Sequence, residues 1–173
     1  MKPLLDSKEV AKTIEEVAHQ ILAKGVTADR LVLIGIMTRG AVLAKRIAEL
    51  LKKDLGKKPR LGEVDINLYR DDLSRLSYHP VVKKTDIPFS LDGTEVFLID
   101  DVLYTGRTIR CALNALFDFG RPDRVSLAVL IDRGGRELPI EAAIVGRHEK
   151  VGGSENIVVN LVESDGEDKV VVE

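Results

Sequence analysis

Residues 95–109 gather the side chains best suited to chemistry in this chain: the apolar run Val96-Phe97-Leu98-Ile99, the adjacent carboxylates Asp100 and Asp101, and Val102-Leu103-Tyr104-Thr105-Gly106-Arg107-Thr108 leading into Ile109. An unbroken apolar run of this length reads as a buried parallel strand, and Cys111 to Phe119 reads as a helix. The turn between them therefore falls at a strand's carboxyl end, where open α/β sheets bind ligands. Backbone N–H groups at a helix start are partly positive, Thr105 and Thr108 add hydroxyl donors, and Gly106 lets the chain bend tightly around an anion. That set suits a phosphate. Ionised Asp100 and Asp101 only accept hydrogen bonds, so they suit the two vicinal hydroxyls of a ribose just beyond it. Together the two halves of the segment specify ribose 5-phosphate.

Simpler nucleotide motifs are excluded. No Gly-Lys-Ser/Thr follows Gly106, as a P-loop needs, and the second and third glycines of a dinucleotide fingerprint are missing. The plain alternative is a strand ending in a solvated acidic turn with a helix cap. A second anion site is expected at Gly35-Ile36-Met37-Thr38-Arg39-Gly40, where a strand again meets a helix. Thr38 offers a hydroxyl, Arg39 could grip a diphosphate through two parallel N–H bonds, and Gly40 permits close backbone approach. Alone, this segment reads equally well as an ordinary loop. A third segment, Asp132-Arg133-Gly134-Gly135-Arg136-Glu137-Leu138-Pro139, follows a strand and exposes backbone groups able to read the alternating carbonyls and N–H of a pyrimidine. Its chemistry alone does not separate uracil from a purine.

The elements that must hold these segments alternate. Asp6 with Glu9 predicts a capping box, and Val10, Ile14, Val17, Ala18, Ile21 and Leu22 recur at helical spacing until Gly25. Leu31 to Ile36 predicts a strand and Ala41 to Leu51 a helix. Val64, Ile66 and Leu68 alternate with polar residues as in a strand buried on one face. Further strands are expected at Val125 to Ile131, Ala142 to Val145 and Ile157 to Val162, the last before an acidic turn from Glu163 to Asp168. Strands alternating with helices imply an α/β fold, a mostly parallel central sheet covered on both faces. At 173 residues, 45% of them apolar, the chain is expected to form a single domain, residues 1–173.

Composition removes several classes. One cysteine, Cys111, excludes an internal disulfide framework, and His19, His79 and His148 are too scattered for a structural zinc site. No stretch approaches the roughly 20 apolar residues of a membrane span, and no signal peptide opens the chain, so a cytoplasmic protein is expected. The net charge of −2 argues against nucleic-acid binding, but it conceals an asymmetry: residues 1–60 carry 13 Lys and Arg against 7 Asp and Glu, the remainder 13 against 21. The amino-terminal third is basic, either as solvated surface or as a face for an anionic partner.

Residues 97–109 resemble the phosphoribosyl diphosphate (PRPP) motif of type I phosphoribosyltransferases. The resemblance extends over essentially the whole chain when Thr-Arg-Gly-Ala-Val-Leu-Ala-Lys-Arg, Leu-Tyr-Arg-Asp-Asp-Leu-Ser, Asp-Asp-Val-Leu-Tyr-Thr-Gly-Arg-Thr and Asp-Arg-Gly-Gly-Arg-Glu-Leu-Pro-Ile are taken in order. Together they resemble the bacterial pyrimidine operon attenuation regulators, which are also uracil phosphoribosyltransferases. The resemblance implies a type I fold with a small hood, its base side at residues 132–154, and a flexible lid at residues 70–90. It implies conversion of uracil and PRPP to uridine monophosphate (UMP) and diphosphate with Mg2+, and binding of pyrimidine-operon (pyr) leader mRNA when loaded with UMP or UTP. Dimers or higher homo-oligomers are expected. The alternatives are a nucleotide-sensing RNA-binding regulator with vestigial catalysis, or a type I enzyme for another base.

The resemblance also implies a role for each matching residue. Asp100 and Asp101 hold the ribose hydroxyls, with Asp101 the better candidate for the developing cation. Val102 to Thr108 bind PRPP, Tyr104 to Thr108 at its 5-phosphate, while Thr38, Arg39 and Gly40 form the diphosphate loop, in an unusual backbone conformation. Arg70, with Lys83 or Lys84, approaches the leaving group from the lid, and Asp71 serves the magnesium shell. Asp132, Arg133, Gly134, Gly135 and Arg136 face the base. His19, Lys24, Thr38, Arg147 and Lys150 match the RNA-binding surface. Three residues depart from the family pattern: Glu16 and Met37 stand where basic residues are common, and Gly135 replaces a frequent histidine. The loop from Arg147 to Ser154 is also richer in glycine than the family leads one to expect.

Overall fold

The computed structural model describes residues 2–67 and 85–173. In chain order they form β1 (Lys2–Leu5), α1 (Ser7–Leu22), β2 (Leu31–Ile36), α2 (Arg39–Leu55), β3 (Arg60–Val64), β4 (Glu95–Leu103), α3 (Arg107–Leu116), β5 (Arg124–Asp132), β6 (Ile144–His148), β7 (Ile157–Asn160), α4 (Val162–Asp165) and β8 (Lys169–Val172). The capping box forms as expected: Glu9 N–H donates to Asp6 Oδ1 at 2.9 Å and Asp6 N–H to Glu9 Oε2 at 2.8 Å. Val10, Ile14, Val17, Ala18 and Ile21 then turn into the core.

The central sheet is five-stranded, in the order β3-β2-β4-β5-β6, and every pairing in it is parallel. Successive residues of a strand point to opposite faces, so the apolar runs of β2 and β4 serve two cores at once. Leu33, Phe97, Ile99 and Leu130 join α1 and α2 on one face, while Val32, Ile34, Leu98 and Val129 join α3 on the other. A small antiparallel sheet, β1-β8-β7, unites the two ends of the chain.

Several boundaries differ from the sequence-based expectations. β4 does not stop at Ile99 but runs through both aspartates to Leu103, because Asp100 to Leu103 still pair with β5, Leu103 opposite Asp132. The strand expected over Val64, Ile66 and Leu68 is instead β3, ending at Val64, since pairing with β2 selects Arg60–Val64. Of that expected strand, Leu68 lies outside the described residues. The helix expected over 111–119 starts earlier, at Arg107, and ends in a 3-10 turn at Phe117–Phe119. The strand expected at 142–145 is β6, shifted to 144–148, and Val162 leaves the last expected strand for α4, the short helix inside the acidic turn. β1 and β8, four residues each, escaped the sequence pattern because their burial depends on one another and on α1.

Candidate active site

The site is built at the carboxyl edge of β4 and its neighbours. Gly106 begins α3 in the left-handed region (φ +91°), with no side-chain cap and no acidic residue in the helix's first turn. An end left open in this way suits an anion. The Thr105 hydroxyl accepts from Arg107 N–H at 3.3 Å, tightening the turn. Next along the sheet, β2 runs into the 37–40 loop, where the Met37–Thr38 peptide is cis, in keeping with the unusual backbone expected there. A Cβ on Gly40 would collide with the carbonyl oxygen of Ile99, so only glycine lets the start of α2 lie directly on β4. The loop is thereby set beside the aspartate pair.

Asp100 and Asp101 differ in environment. Asp100 is only 6% exposed, and its Oδ1 accepts the Asp101 backbone N–H at 3.0 Å. Burial, and then the neighbouring charge of Asp101, push the Asp100 carboxyl well above the usual range. Asp101 is half-buried, and its Oδ1 accepts from Val102 N–H at 2.9 Å. The inner carboxyl is therefore the reluctant ion and the outer one the accessible acceptor.

The 132–140 segment is stitched onto the phosphate turn. Arg133 N–H donates to Leu103 O at 3.1 Å, and Glu137 and Leu138 N–H donate to Thr105 O at 2.9 and 3.1 Å. Arg136 spends its donors inside this seam, on Ile140 O at 2.9 Å, Tyr104 O at 3.0 Å and Asp132 Oδ2 at 2.6 Å. Although burial alone would raise Asp132, the Arg136 bond and the Gly134 N–H hold its carboxyl below the ordinary value. The Arg133 guanidinium lies 3.7 Å from the Tyr104 ring centroid, 7% exposed, with its Nε unpartnered among the described residues. A Cβ built on Gly135 would meet Tyr104 Cε2 at 2.5 Å, so the tyrosine ring fills the space that a side chain at 135 would need. Any side chain at 135 would have to displace this ring.

Other expected residues are dispersed. Arg70, Asp71, Lys83 and Lys84 lie outside the described residues. The described end of the expected lid packs back on the sheet, Asp86 bridging Glu63 and Ile87 entering the core. Exposed His19 and Lys24 lie on and just after α1, which packs across β6 through Thr13 and Val17 against Gly146. Arg147 on β6 pairs with Glu149 at 3.3 Å, and Lys150 is exposed. Thr38 stands apart from them at the end of β2. Among the described residues no three His, Cys, Asp or Glu side chains gather to hold a metal ion, and no helix is long and apolar enough to cross a membrane.

The phosphoribosyl transferase domain model matches residues 1–165. The chain is 50% identical over 171 residues, 99% of its length and 96% of the relative's, to the bifunctional protein PyrR of Elusimicrobium minutum. It is 48% identical over 167 residues to that of Thermus thermophilus, covering 96% and 92% of the two chains. This chain belongs to the phosphoribosyltransferase family, within its PyrR group. Solved structures agree on the fold: the hypoxanthine phosphoribosyltransferase of Trypanosoma cruzi superposes with a TM-score of 0.71 at 21% identity, covering 99% of this chain and 95% of that one. That of Staphylococcus aureus gives 0.70 at 20%, covering 98% and 90%.

One contact of this phosphoribosyltransferase is invisible in its sequence pattern. The Arg39 fork is occupied by Asp165 of the acidic turn, Nε and Nη2 donating at 3.2 and 2.8 Å. Its only signal was a cluster of acids placed far along the chain from α2's arginines.

Proposed function

We propose that the protein transfers ribose 5-phosphate from PRPP to uracil, giving UMP and diphosphate, and that it binds pyr leader mRNA under the control of uridine nucleotides. The observation that carries the reading is the edge of β4, where two carboxylates run directly into an uncapped helix start, flanked by the 37–40 loop and the 132–136 segment. Asp101 and Asp100 hold the ribose hydroxyls, Tyr104 to Thr108 the 5-phosphate, and Thr38, Arg39 and Gly40 the diphosphate. The 132–136 segment faces the base. Of the expected hood at 132–154, residues 144–148 belong to the central sheet as β6, and of the expected lid at 70–90 only the part before Asp86 is left to close, since Asp86 and Ile87 pack on the sheet. No covalent nucleophile is needed. The groups position the sugar and stabilise charge separation at the anomeric carbon, and a closing lid excludes water from the cationic sugar.

The donor chemistry fits a magnesium ion that arrives with PRPP. No protein cage is present among the described residues, and the ligand's own oxygens would supply most of the hard donors such an ion takes. When bound with PRPP, such an ion would supply positive charge against the leaving diphosphate. Asp71 falls in the segment that would approach its water shell. The protein acts in the cytoplasm, as a dimer or larger homo-oligomer, with His19, Lys24, Thr38, Arg147 and Lys150 on its RNA face.

Incubation with PRPP and uracil, hypoxanthine or orotate tests the reading. UMP formation with uracil alone is expected; turnover of another base overturns the assignment of the 132–136 segment. Absence of turnover with RNA binding retained identifies a regulator with vestigial catalysis.

A further inference from the structure

Arg39 is the first residue of α2, and that helix has no acidic residue in its first turn. A cation there faces the positive end of the helix dipole and calls for a counter-ion. The counter-ion comes from 126 positions away: Asp165 accepts Arg39 Nε and Nη2 in parallel, and also Leu161 N–H at 2.9 Å and Ser164 Oγ–H at 2.6 Å. Four donors on one carboxylate make a fixed anchor. The turn carrying it is itself held by Arg46, two helical turns along α2, whose Nε donates to Glu163 at 2.8 Å and whose Nη1 donates to Asp168 at 2.8 Å. The start of α2 is therefore pinned on two sides, by Gly40 against β4 and by Arg39 against α4.

We propose that Asp165 is a positioning residue of the transfer reaction, holding Arg39 and the 37–40 loop in the arrangement that receives the diphosphate. The proposal rests on the reading of that loop as the diphosphate site. Side-on pairing through Nε and Nη2 leaves three of the five guanidinium hydrogens, two on Nη1 and one on Nη2, for the ligand, alongside the loop's backbone N–H groups. Arg39 thus acts as a preset donor edge, not as a free arm that must be ordered on binding.

The test compares Asp165→Asn, which keeps shape and removes charge, with Asp165→Glu and with Asp168→Asn, which weakens the neighbouring clamp on Arg46, seven residues along α2 from Arg39. Two quantities are read: calorimetric affinity for inorganic diphosphate with magnesium, and KM against kcat for PRPP. Asp165→Asn should weaken diphosphate binding and raise KM for PRPP about tenfold, with kcat within about twofold and KM for uracil unchanged. Asp165→Glu should recover part of the loss. Asp168→Asn should lower the unfolding temperature and weaken both affinities clearly less than Asp165→Asn does, because it loosens the turn without removing the carboxylate that pairs with Arg39. In an Arg39→Ala background, Asp165→Asn should add nothing, because one interaction cannot be removed twice. Wild-type diphosphate affinity in Asp165→Asn overturns the positioning role, as does an equal loss in Asp168→Asn. A wild-type protein that binds no diphosphate overturns instead the reading of the loop itself.

Discussion

The two adjacent aspartates are alike in sequence and unlike in the fold, and they should separate in experiment. Asp100 has its folded pKa raised by burial and by Asp101, so its stabilising contribution is complete below the unfolded value of about 3.9 and is lost as pH rises through the folded value. Asp100→Asn should therefore be more stable than wild type at pH 7, with the advantage shrinking as pH falls into the carboxylate range, as urea titrations at both pH values would reveal. Asp101 is half-exposed, and its carboxylate accepts the local Val102 N–H. Asp101→Asn should be somewhat more stable than wild type at pH 7, because it removes the charge that helps raise Asp100, and should lower turnover by a factor on the order of 100, since an acceptor aimed at developing charge is removed. Wild-type turnover in Asp101→Asn would remove it from the mechanism.

Elements hold the site where single residues meet across the fold. Gly40→Ala should cost roughly 1–3 kcal/mol, because the added methyl drives α2 away from the Ile99 carbonyl, and the diphosphate loop moves with the helix. Thermal unfolding and the KM for PRPP should both register it. Arg46→Met should cost about 1–3 kcal/mol at neutral pH by removing the guanidinium that Glu163 and Asp168 share, leaving Asp168 with the Val162 N–H. Hydrogen bonds from Arg46 lower both carboxyl pKa values in the folded protein, so this clamp stabilises above the unfolded carboxylate range and fades as pH falls through the folded values. The gap between variant and wild type should close in acid. What was legible in the sequence follows the same division. The turn after β4 and the loop after β2 were readable because each is a local strand-turn-helix pattern whose chemistry lies in consecutive residues. The Arg39–Asp165 pair, and the small sheet joining β1 to β8, were not, because their partners lie at opposite ends of the chain. The reach of β4 through Asp100 and Asp101 was missed for a related reason: carboxylates look like turn residues until a neighbouring strand is there to pair with their backbone.

At the scale of the whole molecule, the net charge of −2 says little, since the excess of cations lies in the first 60 residues. α1, which carries His19, packs across β6, which carries Arg147, so two of the candidate RNA-binding residues belong to neighbouring elements, with Lys24 just beyond the helix. Lys24→Glu combined with Arg147→Glu should weaken RNA binding and flatten its salt dependence, by about 0.7 in the log–log slope for each single-strand phosphate that is no longer neutralised, while sparing turnover. Thr38 is different, since it sits on the diphosphate loop and is also a candidate for touching RNA, and through it a ligand in the site could bias the RNA face. Such coupling is reciprocal: if UMP tightens pyr leader RNA by some factor, the RNA must tighten UMP by the same factor. Dissociation constants measured around this cycle at one salt concentration should agree. Factors of one in the wild-type protein would mean that nucleotide and RNA are handled by sites that do not communicate, and would leave transfer to uracil as the only function that the nucleotide site serves.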